Sequence, residues 1–253
     1  MKVLVQSRRD VGKILGGDLT ALKVRMPFLQ DLGVSFDYSV DSDADLSGYD
    51  LVYLHTITRV HETHAQMKNA VAAMVPRVTR PLYNSREDLD AYLRLGQTKS
   101  IRGAYRLLGS FERYQKIRAM YYAVRNRHVG EGLRQVRMGY HGQQREVVLN
   151  SLVTPDSPAE LQDIERELDV VVPDHLVVPN SLEVSAEAEG SSSALFFKRY
   201  GLRDIVFCPG RVEPLKNQVG LMRALEGLDV PVVFAGGVNR SHSSYYREFM
   251  TLV

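Results

Sequence analysis

Arg211 and Lys216 are the residues of this chain whose types and spacing best suit chemistry on a phosphate. They lie in the segment Asp204 to Gln218, where Ile205, Val206, Phe207 and Cys208 predict a buried strand that Pro209 and Gly210 end. A helical pattern restarts near Gln218 with Leu221, Met222, Leu225 and Leu228. The two cations therefore occupy a strand-to-helix loop, beyond the carboxyl end of a strand, where open α/β sheets bind ligands and a helix N-terminus favours anions. A planar guanidinium beside a mobile ammonium suits a diphosphate. The plainer alternative is a pair of solvated loop cations. Asn217 closes the loop, and Gly236-Gly237, after the apolar run Val230 to Ala235, makes a second strand-end turn facing the same crevice.

The elements that must position this loop alternate. Residues 2–6 read as a strand, and Leu19, Leu22, Met26 and Leu29 mark one face of a helix that Pro27 kinks near its end. The intervening loop finishes in Gly16-Gly17-Asp18, where the glycines serve either a turn or a close approach to a ligand, and Asp18 suits a helix cap. Strands follow at Val34–Val40 and Leu51–Leu54, then a helix over 62–74 with Ala65, Ala70, Ala73 and Met74 toward the core, and a strand over 75–83. A short helix spans 86–95, a strand 146–153, and Ser157 with Glu160 forms a capping box for a helix to Leu168. Pro179-Asn180-Ser181 is the expected hinge, and Gly201 ends a helix over 194–200.

From Lys99 to Arg145 eleven Lys and Arg stand against only Glu112 and Glu131. Ile101, Tyr105, Leu108, Phe111, Tyr114, Ile117, Tyr121 and Val124 recur at spacings of three and four, which predicts a long amphipathic helix over 99–127. Its basic face is either a solvated surface or a dock for an anionic membrane. Nucleic acid is not expected as a partner, because the aromatics follow the helix stripe and no nucleic-acid motif accompanies the charge.

With 44% hydrophobic and 25% charged residues and a net charge of +2, the 253-residue chain has the composition of one large or two modest globular domains. No run approaches the ~20 apolar residues of a spanning helix, and no secretory signal is visible. A single cysteine, Cys208, excludes an internal disulfide framework and a cysteine metal cluster, and a reducing cytoplasm fits. His55, His61 and His64 lack the partners of a zinc site, so no metal is expected.

Taken in order, Val178-Pro179-Asn180, Gly210-Arg211 with Lys216-Asn217, and Phe234-Ala235-Gly236-Gly237 resemble the donor half of GT-B fold glycosyltransferases of the family 4 type. The Leu54 to Thr63 pattern, Leu-x-x-x-Thr-Arg-x-x-Glu-Thr, is similar to a bacterial glycan-assembly subgroup. The resemblance implies an α/β, GT-B-like fold with a Rossmann-like acceptor-side domain over 1–179 and the first part of a Rossmann-like donor domain over 180–253. It implies hexosyl transfer from a nucleoside-diphosphate sugar to a glycan or lipid-linked acceptor, with retention, no cofactor and no metal. The enzyme would work in the cytoplasm or peripherally on the inner face of the membrane, in polysaccharide biosynthesis. Arg211 and Lys216 would be catalytic, holding the departing diphosphate, with Gly16, Gly17, Gly210, Asn217, Gly236 and Gly237 around the donor. By analogy of fold, Asp18, His55, Arg59 and Tyr83 would touch the acceptor. Ser181 stands where the family usually has glycine, and the family's Glu-x7-Glu pattern has no counterpart after Gly236. The chain therefore reads as incomplete in its donor domain, and these 253 residues alone are expected to lack turnover. A nucleotide-sugar epimerase on the same plan and a non-catalytic, anion-binding membrane module are the competing readings.

Overall fold

A computed structural model describes residues 1–9, 17–96, 98–180, 192–238 and 242–253, with the backbone only for 17–23 and 95–96. The chain forms two compact units, one of residues 1–86 and 110–183, the other of 87–109 and 184–253.

The first unit is α/β and built on a parallel sheet. Its strands are β1 (Lys2–Gln6), β2 (Ser35–Ser39), β3 (Leu51–His55), β4 (Arg77–Arg80) and β5 (Leu152–Val153), in the order β2-β1-β3-β4-β5. All four pairings are parallel, so the order reverses between β1 and β3 and opens a crevice at their carboxyl ends. Alternation sends Val3 and Val5 to one face, where they pack with Leu51, Tyr53 and Met26 of α1 (Gly17–Asp31). Leu4, Val52 and Leu54 are buried on the other face, and α2 (Val60–Ala72) packs on β3. Pro76 and Pro81 bracket β4, which is why it is shorter than the expected 75–83. Residues 174–178 continue the sheet edge through Leu176 N–H to Val153 O (2.9 Å) and Val178 N–H to Pro155 O (2.9 Å).

Several local expectations are corrected. Residues 140–149 form a helix, α7, and not the start of a strand, because Tyr140, Gln143, Gln144, Val147 and Val148 recur at helical spacing and all are buried. Met74, assigned to the core, is 87% exposed, since α2 has already ended at Ala72. Leu29 is exposed as well.

The long basic helix is also two helices. After α3 (Arg86–Ala91) and a π-helical turn (Tyr92–Gly96), α4 (Lys99–Leu108) ends on Gly109 at φ 64°, and α5 (Phe111–Arg125) starts afresh with the Ser110 side chain accepting from Arg113 N–H. Gly109-Ser110 is thus a C-cap followed by an N-cap, a local stop signal that the continuous apolar stripe concealed. The buried face of α5 is Phe111, Gln115, Ala119 and Ala123, whereas Ile117, Tyr121 and Val124 are exposed. Against it lies α6 (Val129–Met138), where Gly132 leaves room: a Cβ there would stand 2.7 Å from Ala123 Cβ. The α8 helix (Pro158–Leu168) completes the unit.

The second unit gathers α3, the π-helical turn and α4 with α9 (Ser193–Tyr200), α10 (Gln218–Ala224), α11 (Ser243–Met250) and the parallel pair β6 (Val206–Pro209) and β7 (Val232–Ala235). Its core holds Val212, Val219 and Phe249, with Phe234, Met222 and Tyr245 packed around them. Tyr92 ties the π-helical turn to His242 (Oη to Nε2, 3.2 Å). An open apolar groove of about 1240 Å³ runs along β6 and β7 beside α9, lined by Phe196, Phe197, Tyr200, Phe207 and Val232.

Candidate functional site

In the second unit the phosphate-loop residues are held by backbone contact. The β6–β7 pairing continues past both strand ends, with Gly210 N–H donating to Ala235 O (2.8 Å) and Val212 N–H to Gly237 O (2.9 Å). The two strand-end turns therefore run side by side. They are so close at Gly236 that a Cβ would lie 2.1 Å from Gly210 O and 3.2 Å from Arg211 N. Gly210 itself has φ +130°, open to glycine but strained for other residues.

Beyond Gly210 the loop is fixed from inside. Gln218, 1% exposed, donates through Nε2 to Arg211 O (2.8 Å), accepts from Glu213 N–H (3.4 Å), and is itself held by Tyr245 Oη (3.3 Å). Val212 is anchored in the core, leaving Arg211 on the surface with Nη2 3.0 Å from Glu213 Oε1. A single 3₁₀ turn, Pro214–Lys216, returns the chain, so that the Lys216 stem passes within 3.6–3.8 Å of where a Gly210 Cβ would sit. Asn217 takes the left-handed conformation (φ 49°), which asparagine tolerates better than most residues, and its side chain covers Gly220 at the start of α10. Arg211, Lys216, Gly210, Asn217, Gly236 and Gly237 thus share one loop pair, with Gly237 open to solvent on its side-chain side.

The first unit treats its expected residues differently. Gly17 and Asp18 lie in the first turn of α1, which begins two residues earlier than a cap at Asp18 requires, and Gly16 lies outside the described residues. His55 is 1% exposed at the end of β3, stacked on Tyr53 with ring centroids 6.2 Å apart. The loop after it is clasped by side chains: Thr63 Oγ1 donates to Thr56 O (2.7 Å), Gln144 Nε2 to Ile57 O (3.2 Å) and Tyr140 Oη to Thr58 O (3.3 Å). Arg59 turns toward α5, its guanidinium 4.2 Å from the Tyr122 ring centre. Tyr83 donates to Glu167 Oε2 (2.8 Å) on α8, and burial followed by that carboxylate pushes its phenol pKa far up. His55 and Arg59 are therefore buried, and Tyr83 is engaged with α8.

Sequence reasoning missed a buried ionic cluster at the carboxyl ends of β1 and β3. Arg9 grips Glu131 of α6 with both terminal nitrogens (2.6 and 2.7 Å), donates to Ser42 Oγ (2.7 Å), and sends its backbone N–H to Glu62 Oε2 (2.8 Å). Ser42 also donates to Glu131. Burial raises the Glu62 carboxyl, and burial lowers the His61 imidazole to about 4, so that ring is neutral at pH 7. His64 is 2.7 Å from Glu146 Oε2. One signal was present: Glu131 is one of two acids in an otherwise basic stretch, and the other, Glu112, accepts from Tyr140 N–H (3.1 Å). Among the described residues no helix is long and apolar enough to cross a membrane. No model of a known protein family and no curated protein sequence matches the chain.

Proposed function

We propose that the chain is a GT-B-type glycosyltransferase that moves a sugar from a nucleoside-diphosphate donor to a glycan or lipid-linked acceptor, Arg211 and Lys216 receiving the diphosphate. The observation that carries this reading is the close backbone apposition of Gly210 and Gly236, which leaves the loop pair without side-chain bulk beside a guanidinium and an ammonium. As the glycosidic bond breaks, negative charge grows on the departing diphosphate. Cations fixed beside it stabilise that charge more than the ground state, which is what accelerates the step. Glu213 orients Arg211 and also restrains its charge, so the mobile Lys216 is the group free to follow the developing anion. Calorimetry with UDP and GDP tests the reading. Arg211→Ala or Lys216→Ala should each cost about 1.5–3 kcal/mol of nucleotide affinity, roughly ten- to a hundredfold. Unchanged affinity in both variants would sink the assignment.

The hairpin of α5 and α6 favours an anionic membrane as the surface on which the acceptor is met. Its outer face carries Ile117 (54% exposed), Tyr121 (57%), Val124 (60%) and Leu133 (55%), interleaved with Arg113, Arg125 and Arg134. Apolar side chains flanked by cations are what an interfacial helix offers to acidic headgroups. At about 1 kcal/mol per cation near the surface, Glu at positions 113, 125 and 134 should reduce binding to phosphatidylserine vesicles by a hundredfold or more. Equal sedimentation of variant and parent with those vesicles would exclude this face. Vesicle binding without any nucleotide binding would favour the non-catalytic module instead.

A further inference from the structure

We propose that Arg80 and Arg25 of the first unit form a second anion site, for a phosphate group, at the segment Pro179-Asn180. Arg80 ends β4, and its side chain is 1% exposed. Its Nη2 donates to Asp156 Oδ1 (2.6 Å) and to the carboxamide oxygen of Asn180. Its Nε and Nη1 are buried with no acceptor in good hydrogen-bond geometry among the described residues, the Tyr53 phenol being the further oxygen beside the guanidinium. A buried guanidinium left short of acceptors is costly, and native interiors seldom keep one without a ligand or water.

Arg25 of α1 reaches the same place. Its Nη2 donates to Pro179 O (2.6 Å), one residue before the asparagine that Arg80 holds. Burial first, and the Arg80 charge next, hold the Arg25 guanidinium below its ordinary value, and the Tyr53 phenol lies in the field of both cations and hydrogen-bonds with the Arg80 side chain. Two guanidiniums thus approach one segment, with one carboxylate, Asp156, directly on Arg80. The next carboxylate, Glu160, has both oxygens engaged by the backbone N–H groups of Tyr83 (2.6 Å) and Asp156. The second acceptor on Arg80 Nη2 is a neutral amide: Asn180, exposed, whose Nδ2 in turn donates to Asp156 Oδ2 (2.7 Å). An amide oxygen on an under-neutralised guanidinium is a placeholder that an oxyanion can displace, gaining charge-assisted hydrogen bonds from both arginines.

The site does not depend on the donor reading, since all of its residues lie in the first unit. The test uses the full chain carrying Arg211→Ala and Lys216→Ala, so that the other cationic loop cannot contribute, titrated with inorganic phosphate at constant ionic strength. Saturable single-site binding is expected. Arg25→Gln, at a part-exposed position, should weaken it tenfold or more without unfolding the chain. Asn180→Asp should place a fixed carboxylate on Arg80 and abolish phosphate binding, at the cost of the hydrogen bond that Asn180 Nδ2 gives Asp156. Asn180→Ala should keep or tighten binding. These variants matter more than Arg80→Gln, which removes a buried partner of Asp156 and is expected to destabilise the fold. Displacement of phosphate by glycerol 3-phosphate would identify a soluble phosphomonoester as the source, and displacement only by phosphatidate vesicles a lipid headgroup. A response that merely follows ionic strength, or Asn180→Asp binding phosphate as well as its parent, would overturn the proposal.

Discussion

Gly236→Ala is expected to destabilise the second unit by about 3 kcal/mol or more, at the upper end of what overpacking usually costs. The added methyl would meet backbone rather than a pliable side chain. It would lie 2.1 Å from Gly210 O and 2.5 Å from Gly210 C, well inside van der Waals contact. Relief requires parting the hydrogen bonds from Gly210 to Ala235 and from Val212 to Gly237, and Val212 is anchored in the core with Val219 and Phe249. The control is the neighbouring position. Nothing lies within 4 Å of a Cβ built on Gly237, so Gly237→Ala should stay within about 0.5 kcal/mol of the parent. Urea unfolding followed by near-ultraviolet dichroism reads both, and equal midpoints for the two variants would contradict the close approach.

The second large effect is expected at Arg9. Replacing it with Met leaves the Glu131 carboxylate, whose side chain is 5% exposed, without its bidentate partner. Breaking a buried ion pair from one side typically costs about 3–5 kcal/mol, because the surviving charge is stranded. Arg9→Met with Glu131→Gln should recover a large part of that loss. The pH dependence supplies a further check. Burial pushes the Glu131 carboxyl up, but hydrogen bonds from Arg9 and Ser42 outweigh it and hold the group below its ordinary 4.5. Its contribution is therefore present above that value and is lost as pH falls through the lower folded value. Without Arg9 the burial cost dominates and the carboxyl titrates higher, so the gap between parent and Arg9→Met should narrow as pH falls toward 4. Denaturation curves at pH 7 and pH 4 showing a constant gap, or a loss under 1 kcal/mol at pH 7, would refute the ion pair's role.

What could be read in the residues was what they declare locally. The first three strands, the Gly201 helix end at φ 70° and the Ser157 cap, whose Oγ accepts from Glu160 N–H (3.1 Å), all follow from short-range pattern. Even there the partner was misassigned: the Glu160 carboxylate serves the backbone of Asp156 and Tyr83 rather than that of Ser157. Apolar periodicity misled where helix faces bury small or polar side chains, as on α5, whose core side is Gln115, Ala119 and Ala123 beneath Phe111. The loop carrying Arg211 and Lys216 was legible because a strand end, two glycines and two cations fall within a few dozen residues. The Arg9–Glu131 pair spans 122 positions and the Arg80–Asn180 contact 100, so only the folded chain brings their members together.

The second unit is assembled from two separate stretches of chain, 87–109 and 184–253, with the whole of 110–183 returning to the first unit between them. It is consequently not a cassette. A cut after residue 183 would leave α3, the π-helical turn and α4 attached to the wrong partner, and would deprive His242 of Tyr92. Recombination between relatives at that single junction would separate residues that must coadapt, so the 87–109 excursion should be inherited together with the C-terminal segment. Functional hybrids would need exchange at three joints, 86/87, 109/110 and 183/184, and a sound dissection of the chain would join 87–109 directly to 184–253.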